Sequence, residues 1–243
     1  MSIFSRLLKK SPPPPPASGG WPNQSTWGAL RNEIPLSTED GLRFLWTVPC
    51  GDLALPSGRL VACDPFVELS PAGTPFIVAP KGRFPVIVSL ADVSEKQDRS
   101  HIREAYASII FSPNAEVYRK TLPLAKDGQE RPEPQGDEFV GFGVDAGTAC
   151  FVDESAIGPC MPDPRTWYEA LFENEREDCW FRRMDDPEHI RAGIANITLP
   201  QAKNGENLIL FHSGWGDGVY PVIGSFDSAG RLVAAHIDFF VVK

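Results

Sequence analysis

A chain of 243 residues, 42% hydrophobic and 23% charged, is long enough to bury a substantial core and has the composition of an ordinary folded domain. Its 24 prolines and 21 glycines exclude a helical bundle, because each breaks a helix interior. A formal charge of −9 argues against nucleic acid as a partner and suits a basic protein surface, a basic small molecule or a cation.

The chain starts with "MSIFSRLLKK" and "SPPPPPASGG". Ile3, Phe4, Leu7 and Leu8 fall on one helical face, with Arg6, Lys9 and Lys10 towards the other. The apolar part is too short for a secretory signal, and Ser2 stands where myristoylation needs glycine. The proline run reads as a polyproline spacer. Residues 1–20 are therefore expected to form a basic, Pro-rich tail outside the fold, and residues 21–243 a single domain. No stretch approaches the roughly 18 apolar residues of a membrane span, so stable membrane insertion is not expected.

From residue 41 onward, short runs rich in β-branched and aromatic residues follow one another, bounded by Gly, Pro or Asp. They include "LRFLWTV", "GRLVACD", "FPVIVSLAD", "AYASIIF", "FVGFGVD", "TACFVD", "NLILFHSGW" and "RLVAAHIDFFVV". "FDSAGRLVA" predicts a hairpin turning over Asp227 to Gly230. Helix is predicted only in the middle. "DPRTWYEALFENERE" has Asp163 as N-cap, Pro164 at the first helical position and apolar residues at 167, 168, 171 and 172. "DESAIGPC" and "DDPEHIRAG" each suit one short turn, and residues 126–138 read as a polar loop. No internal repeat stands out. The expected fold is mainly β: a single antiparallel β-sandwich or distorted barrel with a small helical insertion.

Five cysteines, at 50, 63, 150, 160 and 179, give an odd count without a CxxC pair, which points to reduced thiols and a cytoplasmic location. Cys63 and Cys150 sit in apolar runs and read as small core residues.

The chemistry-bearing residues concentrate around glycines. "HSGWGDGVYP" sets Gly214, Gly216 and Gly218 on alternate positions around Trp215 and Asp217, with Tyr220 beyond. Asp217 there is either a binding acid or a turn acid at a bulge. "GVDAGT" repeats the arrangement around Asp145, with Asp153 eight residues on. Asp64 ends a third strand and Asp238 interrupts the last one. Asp145 and Asp238 would be costly to bury without donors, and Arg59 and Arg83 are candidate counter-charges. Asp145 is expected at a strand end, with its carboxylate turned towards the loop 213–218. Carboxylates without clustered histidine suit Mg²⁺ or Ca²⁺ better than Zn²⁺. His212 and Ser213 are adjacent on a strand and so point to opposite faces, which disfavours a nucleophilic pair. Trp167, Trp180 and Tyr168 suit helix-to-sheet packing as well as recognition.

"LPSGRLVACDPF" (55–66), "GFGVDAGTACFVDE" (141–154) and "NLILFHSGWGDGVYPVIGSFDSAGRLVAAHIDF" (207–239) together resemble the bacterial family catalogued as domain of unknown function 4241. The resemblance covers roughly residues 40 to 242. It implies the architecture and the site, and brings no activity with it.

The expected function is that of a non-catalytic cytoplasmic binding protein, an immunity-type protein that neutralises a toxin or effector protein by direct contact. Its binding residues would be Asp145, Asp153, Trp215, Asp217, Tyr220 and Arg59, with no metal ligand and no cofactor assigned. The alternative is a metal-dependent hydrolase using Asp64, Asp145, Asp153 and Asp217 with Mg²⁺ or Ca²⁺. Convergence of those four acids in one open pocket would favour the second.

Overall fold

The computed structural model describes residue 30 and residues 35–38, 41–69, 74–113, 118–121, 139, 141–174 and 176–242. The expected tail 1–20 and the polar loop 126–138 lie outside the described residues. Within them, two antiparallel sheets stack as a sandwich. The larger runs β1 (Pro35–Thr38), β2 (Gly41–Leu55), β5 (Gly82–Asp92), β6 (Ile102–Ile110), β13 (Leu232–Asp238), β12 (Gly218–Phe226) and β7 (Tyr118–Thr121) in spatial order. β8 (Gly141–Val144) pairs with the first part of β12. The smaller sheet runs β10 (Ile194–Thr198), β11 (Asn207–His212), β9 (Thr148–Asp153), β3 (Arg59–Cys63) and β4 (Ile77–Val78).

The alternation of side chains along a strand decides which residues meet between the sheets. Leu60 and Ala62, Ala149 and Phe151, and Ile209 and Phe211 face Val86, Val88, Ala107, Ile109, Val222 and Ile237 in the sandwich core. The intervening residues Val61, Cys63, Cys150, Val152, Leu208 and Leu210 point to the other face, where Leu171, Phe172, Trp180 and Met184 cover them. The smaller sheet is thus buried on both sides, and β3, β9 and β11 each carry an unbroken apolar run, at 60–63, 149–152 and 208–211. Cys63 and Cys150 lie opposite each other in register with their sulfurs 3.6 Å apart. β2 kinks between Pro49 and Asp52, with Gly51 at φ 83°. There the Asn196 amide donates to the Cys50 carbonyl (2.9 Å) and the Asn207 amide to the Asp52 carbonyl (2.9 Å), tying the two sheets together.

Four short helices complete the described chain: α1 (Pro65–Glu68), α2 (Glu154–Ile157), α3 (Trp167–Leu171) and α4 (Trp180–Asp185). The helix expected from Asp163 is shorter than its apolar spacing suggested. Asp163 caps a turn by accepting from the Arg165 amide at 2.9 Å, and the Asn174 amide then takes the Ala170 carbonyl at 2.8 Å, which ends the helix early. Leu171 and Phe172 of its apolar face are buried, while Tyr168 is exposed. No helix among the described residues is long and apolar enough to cross a membrane.

The fold also reveals a repeat. Residues 55–64 and 144–153 each run from a turn with a left-handed glycine (Gly58 at φ 71°, Gly147 at φ 62°) into a strand and then an aspartate. That aspartate, Asp64 or Asp153, caps a four-residue helix. The two strands, β3 and β9, pair with each other antiparallel. The units are therefore related by a local pseudo-twofold axis.

Candidate functional site

Asp64 leaves β3 fully buried. One carboxylate oxygen accepts from the Phe66 amide at 2.8 Å and caps α1. The other accepts from the amides of Asp145 (2.8 Å) and Ala146 (3.0 Å), the turn between β8 and β9. Burial pushes the Asp64 carboxyl above its ordinary range against the pull of those three amides. One helical turn on, burial and the Asp64 charge push Glu68 up to about 7, and its Oε2 is buried with no hydrogen-bond partner.

The turn that Asp64 holds is in turn bound to the loop 213–218. The Gly147 amide donates to Asp217 Oδ1 at 3.0 Å, and the Ser213 amide donates to the Gly147 carbonyl at 3.1 Å. Within the loop, the Ser213 hydroxyl (2.8 Å) and the Tyr220 hydroxyl (2.7 Å) both donate to the Gly216 carbonyl. Gly214 takes φ 63° and lies so close to Phe239 and Val241 that a Cβ would meet them at 2.8 and 2.7 Å. Only glycine fits there.

That geometry presents Trp215, which is 54% exposed. The Arg103 guanidinium sits 5.3 Å from the Trp215 ring centre and donates to the Gly214 carbonyl at 3.4 Å. The His101 ring meets Trp215 edge-on at 5.9 Å, and its Nε2 accepts from Arg103 Nε at 3.0 Å. Exposed Asp145 and Asp217 belong to the same end of the sandwich, joined through Gly147.

Asp145, Asp217, Trp215 and Tyr220 are therefore brought together, whereas Asp153 and Arg59 are not. β3 and β9 run antiparallel, so Asp153 and Arg59 sit at the far end of the pair. Asp153 is 1% exposed and accepts from the Ser57 amide (3.0 Å), the Ser57 hydroxyl (2.8 Å), the Ser155 amide (2.9 Å) and the Ser155 hydroxyl. No capacity remains for a ligand from solution. Arg59 pairs with Glu154 at 2.8 Å, and Arg83 donates to the Gly205 carbonyl at 3.3 Å. Neither serves as the counter-charge of Asp145, and Asp64 is held by backbone amides. The four acids are divided between the two ends. Among the described residues, no group of three or more His, Cys, Asp or Glu side chains is placed to hold a metal ion. His212 is exposed, and Ser213 is buried with its hydroxyl bound to Gly216. Asp238 is buried at its strand end and accepts from the Phe240 amide at 2.8 Å.

Arg103, His101 and Glu68 escaped the reading of the sequence. The pattern His-x-Arg in "HIREAY" was its one available signal for the first two, since residues i and i+2 of a strand share a face.

A family model described as "Protein of unknown function (DUF4241)" matches residues 53–237. No curated protein and no solved structure matches the chain.

Proposed function

The chain belongs to the DUF4241 family, and from that premise we propose that it is a non-catalytic binding protein that meets a basic partner protein through the surface around Trp215. Its role would be that of an immunity protein acting in the cytoplasm, neutralising a toxin by contact. The observation that carries the reading is an indole 54% exposed yet held on two sides by Arg103 and His101, on a loop pinned through Gly147 and Gly216. Tryptophan dominates binding hot spots, and an anchor ordered before contact loses little entropy on binding. The neighbouring carboxylates of Asp145 and Asp217 and the net charge of −9 favour encounter with a positive surface. Five free, buried thiols agree with a reducing compartment.

The test begins with a partner captured by cross-linking to the full chain, then produced pure and titrated calorimetrically. Trp215→Ala should weaken that complex about 30-fold, which corresponds to roughly 2 kcal/mol. An unchanged Kd would remove the Trp215 surface from the interface. For the immunity role, producing the wild-type chain together with the partner should relieve growth arrest, and Trp215→Ala should not. A partner that causes no growth arrest would leave the binding reading standing and remove the toxin.

A further inference from the structure

The loop between β5 and β6 and the start of β2 border a half-open cavity of about 330 Å³ lined by Phe44, Leu45, Trp46, Asp92, Gln97 and Arg99. That volume lies at the small end of the range for ligand sites. Two of its lining residues, Gln97 at φ 49° and Arg99 at φ 64°, have left-handed backbone that side-chain-bearing residues avoid. Asp92 enforces it. Its carboxylate accepts from the Arg99 amide (2.6 Å), the Ser94 amide (2.9 Å) and the Ser94 hydroxyl (2.6 Å), and the same hydroxyl accepts from the Asp98 amide at 3.1 Å. The Gln97 amide group closes the loop onto β2 by donating to the Leu42 carbonyl at 3.4 Å. Strain held in this way by surrounding structure clusters at ligand clamps.

What the strained loop delivers is a cation on an aromatic wall. The Arg99 guanidinium lies 5.2 Å from the Trp46 ring centre. A guanidinium stacked on a ring keeps its N–H edge for a carboxylate. Among the described residues it enters no salt bridge. Asp92 is no substitute partner, because amides and a hydroxyl occupy its oxygens and it is 8% exposed. Arg43 adds a second positive charge close enough to act on Asp92. Phe44 is 50% exposed and offers an apolar surface beside these cations.

We propose that this cavity binds a small, flat organic anion, an aromatic carboxylate whose ring lies against Phe44 and whose carboxylate pairs with Arg99. The site stands apart from the Trp215 surface and does not depend on the binding role proposed for it.

Calorimetry on the full chain with indole-3-acetate tests it, with indole lacking the charge and acetate lacking the ring as controls. Indole-3-acetate should bind with a Kd on the order of 0.1 mM, and indole and acetate each at least about 10-fold more weakly. Arg99→Gln should lose about 10-fold in affinity while its melting temperature stays within about 2 °C of wild type. Should that variant fail to fold, Phe44→Ala takes its place with the same expected loss. No binding by the wild type up to about 5 mM, equal binding of indole and indole-3-acetate, or full affinity in a folded variant would each overturn the proposal.

Discussion

Asp64 follows β3 and Asp153 is the last residue of β9; each is 1% exposed, each caps a four-residue helix, and each reaches across to the turn before the other's strand. The two then diverge. At Asp153 the turn supplies its own side chain, Ser57, and the helix supplies Ser155, so the junction closes on itself; Arg59 and Glu154 pair alongside. At Asp64 the turn offers bare amides from Asp145 and Ala146, both exposed, and the next residue, Gly147, is taken up by Asp217 and Ser213 of a third loop. The same device locks one end of the sandwich and builds a surface at the other. A turn whose side chains are spent on closure has none left for recognition.

The comparison breaks most visibly if the two aspartates cost the same to remove. Asp153→Ala strands two amides and two hydroxyls inside the protein and should lose about 3 kcal/mol in urea denaturation. Asp64→Ala should lose about 2 kcal/mol, because water reaches the amides of Asp145 and Ala146 once the carboxylate has gone. A reversed order would mean that the Asp64 end is the closed one.

pH sharpens the contrast. Glu68 is raised from 4.5 to about 7, and Asp64 is raised too, both chiefly by burial. The folded chain therefore holds protons that the unfolded chain releases. The contribution of Glu68 is complete below pH 4.5 and is lost as pH rises through about 7. Between about pH 5 and pH 8 the urea midpoint of the wild type should fall relative to that of Glu68→Gln. A constant difference between the two would show that Glu68 is ionised throughout. The smallest effect belongs to Asp217, whose single bond to Gly147 lies at the surface. Asp217→Ala should cost about 1 kcal/mol and Asp217→Asn less, since the amide oxygen still accepts. A loss above about 2 kcal/mol would make that bond part of the fold's foundation instead of a link between two surface loops.

Much of this was legible in the chain. Strands announced themselves through β-branched runs and Gly, Pro or Asp punctuation, and "TACFVD" and "NLILFH" read correctly even though burial on both faces erased their alternation. Matching glycine spacing placed Asp145 beside the loop 213–218, because close backbone approach leaves that mark. The rest was hidden for physical reasons. Which residues of other strands share an end with Asp153 depends on pairing, so Asp153 and Arg59 could not be told apart from the residues gathered at the other end. α1 and α4, with four and six residues, are too short to show a helical period. The repeat escaped notice because, of its ten aligned positions, only the glycine and the aspartate are identical; apolar strand residues replace one another freely.

The facing sulfurs of Cys63 and Cys150 have a practical corollary. All five cysteines are free and buried. Burial raises Cys50 to about 12, and the neighbouring thiol together with burial raises Cys63 well above its ordinary value. Only a thiolate attacks an alkylating reagent, so the native chain should be silent towards iodoacetamide, and each modification then records an opening event. Cys50 lies in the core between the sheets, Cys63 and Cys150 beneath the helical cover, and Cys160 and Cys179 within that cover. Mapping which peptide is alkylated first would time the loosening of each layer separately, using reporters the protein already carries.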